Sequence, residues 1–290
     1  MQSPSSIFHQ RVDLRSYDKH YRNIDERDYN HYGNVTSPFD AWSGVKLREK
    51  CELSGINKNA TDLVLWGRGQ GPHIATTRVG GIPAWTKNLS APKGLKFFGQ
   101  FNLLDSVDLL PFSPKGLLSI WGREEFPWEP RTIKTFWVDP AEAISMPNFS
   151  AEMGYRDINI EPFFGSLYRT WDPGPDSQVT PVEVDNQFES RRKYVPRSWK
   201  GTKYGADQTI TESGLQACYG RSWSYFFEIT AIQASSEVPW PWTNQAEPMV
   251  LSGSENSIYS KDNSVVLGDM GTILFLVNRR GKFKTDFSCG

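Results

Sequence analysis

Three short stretches recur in the same order in the two halves of the chain, and any fold must accommodate that order. Thr77-Arg78-Val79-Gly80-Gly81 is answered 125 residues later by Thr202-Lys203-Tyr204-Gly205-Ala206. Phe98-Gly99-Gln100-Phe101 is answered by Phe226-Phe227-Glu228-Ile229, and the run from Gly116 to Trp121 by the run from Gly271 to Leu276. In both halves a cation precedes small residues. An aromatic strand carrying an amide or an acid follows, and a glycine then opens an alternating strand. One match of this length carries nothing. Three in one order predict a β-rich unit present twice, in halves of about 61–140 and 200–290.

The rest of residues 61–290 fits that reading. Short apolar runs bounded by Gly, Pro, Asn and Asp predict strands at Leu63–Trp66, Leu95–Leu103, Leu117–Trp121 and Thr132–Val138. Later strands are predicted at Tyr225–Ile232, Ser264–Leu267 and Thr272–Asn278. With 24 Gly and 19 Pro in 290 residues, a turn-rich chain is favoured over a helical bundle. Only 38% of residues are apolar, but 17 Phe, 11 Trp and 11 Tyr supply ring volume for a core. The longest strongly apolar stretch, Ile273–Val277, is far short of the roughly 20 residues a spanning helix needs. The expected fold class is α+β and β-rich, with a few short helices.

Residues 1–60 read differently, as a polar, Tyr-rich extension that is partly helical or irregular, with a short helix within Asp40–Leu53. His9, His20 and His31 recur every eleven residues. A metal site favours closer pairing, such as i and i+4, so no metal is expected. The N-terminus shows no cationic start followed by an apolar run, the mark of a secretory signal. Cys51, Cys218 and Cys289 are widely spaced and form no CxxC, so neither a disulfide framework nor a zinc knuckle is expected. The four Asn-x-Ser/Thr triplets, at Asn34, Asn59, Asn88 and Asn148, then read as chance, and the expectation is a reduced, cytoplasmic protein.

Several motifs together resemble one family. They are Thr77–Pro83, Phe97–Leu103, Leu110-Pro111 with Gly116–Leu118, and Gly268–Phe275. The closing segment Phe283–Phe287 belongs with them. In this order they resemble the YwqG family of bacterial proteins, a domain of unknown function, over roughly residues 60–290. The chain departs from the family at Asp207-Gln208, where a second glycine-rich turn ending in proline is usual. The first sixty residues and the Trp/Pro-rich stretches at 121–137 and 239–248 have no counterpart. The resemblance implies a compact β-rich fold with two similar halves and implies no established reaction. Some members of such families lie beside toxins and look like immunity proteins.

The chemical motifs are weak. Gly80-Gly81 before Pro83 predicts a tight turn at positive φ; the alternative is an anion cradle of backbone amides with Arg78. Gly67 to Gly71 superficially resembles a phosphate loop, but Pro72 follows and no Lys-Ser/Thr does. Asp269, between two strands, reads as a turn residue hydrogen-bonding its own backbone. No Gly-x-Ser-x-Gly occurs, and all four histidines lie at or before His73. Gln100 and Glu228 occupy matching repeat positions and would face each other near a pseudo-axis as a buried polar pair. Arg78, Gln100, Glu228 and Asp269 therefore mark a cleft between the halves, should the protein be an enzyme or a small-ligand binder. No cofactor is expected.

Charge is the feature that points outward. The whole chain carries a net charge of −1, which disfavours direct nucleic-acid binding. From Asp139 to Glu189, however, ten acids stand against two bases, leaving −8. The next stretch, Arg191 to Lys203, has six bases and no acid. Either the two segments neutralise each other or the first is an acidic face that steers a basic partner. Tyr155, Phe163, Phe164, Tyr168 and Trp171 lie among the acids, as interface anchors or as strand core. Taken as a face, the linking segment 141–199 offers partner contacts at Asp157, Glu161, Asp172, Asp176, Glu183 and Asp185. The expected function is non-catalytic: an immunity-type protein occluding a toxin, such as a basic nuclease, with no membrane involved.

Overall fold

A computed structural model describes residues 8–9, 11–17, 41–42, 44–45, 59–68, 71–123, 130–155, 162–172, 182–183, 192–193, 199, 201–205, 218–233, 264–265 and 271–288. The first strands are β1 (Asn59–Arg68), β2 (Arg78–Val79), β3 (Ala84–Trp85) and β4 (Lys96–Asn102). After them come β5 (Leu117–Gly122), β6 (Lys134–Val138), β7 (Ile144–Ser145) and β8 (Phe163–Asp172). Next are β9 (Val182–Glu183), β10 (Arg192–Lys193), β11 (Lys203–Gly205) and β12 (Trp223–Thr230). The last are β13 (Ile232–Gln233), β14 (Ser264–Val265), β15 (Thr272–Asn278) and β16 (Phe283–Ser288). Strands dominate, as expected, and the described helical elements include short 3-10 turns at Leu14–Tyr17 and Leu104–Leu109. Helical residues at 41–42 and 44–45 fall inside the helix expected at Asp40–Leu53; the rest of that span lies outside the described residues. Among the described residues no helix is long and apolar enough to cross a membrane.

Ten strands form one sheet in the order β16-β15-β12-β11-β1-β8-β2-β4-β5-β6. Every neighbouring pair is antiparallel. The sheet curls until its two edges approach: the rings of Trp137 on β6 and Phe283 on β16 have centroids 5.8 Å apart. The concave side holds the main core, where Val64, Trp66, Phe101, Leu118, Tyr204, Phe227, Ile273 and Phe275 meet. The phenyl rings of Phe227 and Phe275 stack at 4.4 Å.

The central strand explains its own composition. Leu63-Val64-Leu65-Trp66 is apolar without alternation because both faces of β1 are covered. Val64 and Trp66 point into the main core. Leu63 and Leu65 point outward, under Val12, Leu14, Ala41, Trp42 and Trp199. Val12, Leu14, Ala41 and Trp42 of the N-terminal extension therefore pack on the sheet. β15 divides the same way, with Ile273, Phe275 and Val277 inward and Leu274 and Leu276 in a small outer cluster.

The strand order is palindromic in connectivity about the β1–β8 pair. On one side Arg78 stands opposite Gln100 in the β2–β4 ladder; on the other Lys203 stands opposite Glu228 in the β11–β12 ladder. Register shifts occur at Phe97/Gly99 and at Tyr225/Phe227. The amide of Gly165 donates to the carbonyl of Thr77 at 3.0 Å, and that of Val64 to the carbonyl of Thr202 at 2.8 Å. The glycine pair Gly80-Gly81 sits at φ 72 and 68, in the left-handed region that its turn requires.

Candidate functional site

The residues expected to line a cleft separate into two clusters. Arg78 and Gln100 are cross-strand neighbours. The Arg78 guanidinium donates to the carbonyls of His73, Ile74 and Ile82 at 3.0–3.2 Å. It also lies over the Phe164 ring, 4.9 Å from the centroid. Burial lowers its pKa to about 10. The Gln100 amide donates to the carbonyls of Ile74 and Thr76 and accepts from Ala84 N–H at 2.7 Å. The two side chains thus staple residues 73–84 to the sheet, and the structural reading of the glycine turn explains Arg78 without an anion. Glu228 lies on the other side of the central pair, where Oε1 is 3.2 Å from Lys203 Nζ. Gln100 and Glu228 do not face each other: each serves its own side of the sheet. Asp269 lies outside the described residues.

The expected partner face changes as well. Asp157, Glu161, Asp176 and Asp185 lie outside the described residues. Asp172 is not surface: it is wholly buried, accepts Trp199 N–H and lies 3.8 Å from Lys203 Nζ. An acid closed in by its own cation and backbone donor has nothing left for a partner. Glu183 stands directly opposite Arg192 in the β9–β10 ladder, so the acidic and basic runs meet there. Phe163, Phe164 and Tyr155 are core residues, with Phe163 and Phe164 opening the long central strand β8. Asp139, Glu142 and Glu152 are exposed.

The densest polar cluster among the described residues lies where the N-terminal strap (Phe8, His9, Arg11 and Val12) crosses the outer face of the central strands. Phe8 and His9 N–H groups both donate to Asp105 Oδ2, at 3.0 and 2.9 Å. His9 Nδ1 is 2.8 Å from the same oxygen, and His9 Nε2 is 2.7 Å from Thr77 Oγ1. Thr77 N–H donates to Nε2 at 3.2 Å, which makes Nε2 an acceptor and puts the ring proton on Nδ1, facing Asp105. Thr77 Oγ1 accepts from Asn102 N–H at 2.9 Å and lies 3.1 Å from the Tyr204 hydroxyl. Burial raises the pKa of that hydroxyl well above the ordinary tyrosine value. Two residues along the strap, Arg11 donates to Asp62 Oδ1 at 2.6 Å and to the Asp105 carbonyl at 2.5 Å. Asp62 also receives Arg169 through Nε and Nη2, at 2.6 and 2.9 Å, and the Ser106 hydroxyl at 2.6 Å. Burial alone would lower the Arg169 pKa, but hydrogen bonds to Asp108 and Asp62 hold it above its ordinary value.

An acid, an imidazole and a hydroxyl in line have the order of a nucleophile triad. Here the hydroxyl is fully buried and already engaged by three neighbours, so no substrate carbonyl reaches it. The cluster orders protons and closes the strap onto the sheet. Sequence reasoning missed it because His9 and Asp105 lie 96 residues apart and Arg11 and Asp62 lie 51 apart. Among the described residues no group of His, Cys, Asp or Glu has the arrangement of a metal site. No protein-family model matches the chain, and no curated protein matches it in sequence.

Proposed function

We propose that this is a non-catalytic, cytoplasmic protein-binding protein of YwqG-like, duplicated architecture, acting as an immunity-type inhibitor of a basic toxin domain such as a nuclease. The observation that carries the reading is the excess of eight negative charges between Asp139 and Glu189, with Asp139, Glu142 and Glu152 exposed. Carboxylates presented to a partner use the same lysines and arginines that grip phosphates in a nuclease. The pairing of Arg78 with Gln100 and of Lys203 with Glu228, with matching register shifts, supports descent of the two halves from one unit.

The test is affinity capture from the source cells at low and high salt. The baits are the wild-type chain and a chain with Asp157, Glu161 and Asp176 changed to Lys. Wild type is expected to recover a basic protein whose association weakens with salt, as charges beyond about 8–10 Å are screened. The reversed chain is expected to lose that protein. Equal recovery by both baits, with the fold intact, overturns the charge reading.

A further inference from the structure

We propose that the end of the sheet formed by the β15–β16 turn and the start of β12 binds single-stranded nucleic acid. This surface lies outside the acidic stretch 139–189, so it stands or falls apart from the protein-binding reading above.

Three strands bring the surface together. Trp223 opens β12 opposite Asn278, the last residue of β15. The turn into β16 is tied from within. Asn278 N–H donates to the Lys282 carbonyl at 3.1 Å, and Gly281 N–H to the Asn278 carbonyl at 2.9 Å. Asn278 Oδ1 accepts the N–H groups of Arg280 and Lys282 at 2.9 and 3.0 Å. Gly281 takes φ 71, and a Cβ there would lie 3.1 Å from the Phe112 ring, so the turn is also seated on a side chain. A second turn, in which Trp223 N–H donates to the Gly220 carbonyl at 3.4 Å, brings Arg221 to the same end.

This end is cationic. Residues 218–224 and 278–286 hold five cations (Arg221, Arg279, Arg280, Lys282 and Lys284) against one acid, Asp286. Both oxygens of that acid are engaged: Oδ2 accepts the Tyr219 hydroxyl and Oδ1 the Phe287 N–H. Arg221, Arg279, Arg280 and Lys282 are exposed and make no ion pair with the described residues. Across the seam the exposed Asp139 serves its own turn, where Oδ1 accepts the Ala141 N–H at 2.9 Å. A net charge of −1 disfavours binding by the whole surface, but it does not weaken a local excess of cations held on rigid turns.

The rings beside the cations choose among polyanions. Tyr219 and Trp223 are half-buried, packed against Tyr225, Leu274 and Leu276. Lys284 lies over both, its ammonium 4.8 Å from the Tyr219 centroid and 6.0 Å from the Trp223 centroid. An exposed cation–π contact is weaker than a base stacked on a ring. An unpaired base therefore takes the place of Lys284 over the rings, and the freed ammonium turns to a phosphate. A duplex keeps its bases stacked on one another and an acidic peptide has none, so neither uses the rings.

The probe is a fluorescent oligothymidylate of about twelve nucleotides, within the range one small domain covers, titrated by anisotropy with full-length protein. Affinity is expected to fall about fiftyfold between about 50 and 200 mM salt, the loss for four neutralised phosphates on a single strand. A triple variant, Arg279→Ala, Arg280→Ala and Lys282→Ala, is expected to reduce that salt slope to about a quarter. Trp223→Leu is expected to weaken binding at least about tenfold and leave the slope unchanged. Polyglutamate and a duplex of the same length are expected to bind wild type at least about tenfold more weakly than the single strand. The triple variant alters only exposed side chains, so it decides even where Trp223→Leu fails to fold. No binding at the lower salt overturns the proposal, as does an unchanged salt slope in the folded triple variant. Equal binding of polyglutamate assigns the surface to acidic protein segments, and equal binding of the duplex removes the role of the rings; either result overturns it.

Discussion

Asp108 is the one exposed member of an otherwise buried charge cluster, and its ionisation is visible to solvent. Arg169 donates to both its oxygens, at 2.7 and 3.0 Å, and these hydrogen bonds hold its pKa below the ordinary carboxylate value. The sign follows from linkage. A depressed folded pKa contributes stability that is fully present above the unfolded value, about 3.9 for Asp, and is lost as pH falls through the folded value. Asp108→Asn is therefore expected to lower the melting temperature at pH 7 and to lower it by less at pH 3, below the unfolded value. Thermal melts of both chains at the two pH values check this; an equal deficit at both would mean the ion pair is not the cause. Thr77 offers the contrast at the same scale. Its hydroxyl has the neighbours of a nucleophile, but complete burial makes it a hydrogen-bond hub. Residue types alone do not separate those roles, and solvent access does.

At the scale of elements, the strands with a continuous or alternating apolar pattern were legible. β1, β4, β5, β6, β12 and β15 each contain or overlap a run predicted from Leu, Val, Ile and Phe. β8 was not, although it is central. Its Phe-Phe-Gly-Ser-Leu-Tyr-Arg-Thr-Trp-Asp sequence carries Arg169 and Asp172, which pair with Asp62 and Lys203 from other strands. Those partners turn a stretch that reads as solvated and acidic into buried sheet. The available signal was four rings (Phe163, Phe164, Tyr168 and Trp171) in the ten residues between Pro162 and Pro173. The Arg78–Gln100 and Lys203–Glu228 correspondence was legible as repeat positions, but not as two separate polar clusters, since that depends on how ten strands are ordered. Gly99 shows why the repeat tolerates little change on the β4 side. A Cβ there would lie 2.7 Å from the Arg78 carbonyl oxygen, a backbone atom that cannot rotate away. Gly99→Ala is expected to cost about 1–3 kcal/mol through overpacking, read from the denaturant midpoint. An unchanged midpoint would mean the β2–β4 ladder yields more readily than its register implies.

For the whole molecule, the decisive feature is that neither the part of the chain before residue 156 nor the part after it completes its own side of the sheet. Divided at residues 155/156, β1 lies before the division yet pairs with β11 after it; β8 lies after the division yet pairs with β2 before it. The two exchanged strands then pair with each other over ten register positions. Cutting the chain at residues 155/156 severs none of the described strands but divides all three of these ladders between the fragments. Each fragment alone would expose apolar side chains that share the main core with the other, Val64 and Trp66 in the first and Phe226, Phe227 and Phe275 in the second. We therefore expect residues 1–155 and 156–290, expressed separately, to show no cooperative melt. Co-expressed, they should copurify and melt cooperatively, with a melting temperature that rises with concentration because assembly is bimolecular. Circular dichroism melts of the single fragments and of the pair decide it. A cooperative transition in either fragment alone would show that a half-sheet closes on itself, and that the exchange of β1 and β8 joins two finished units instead of completing them.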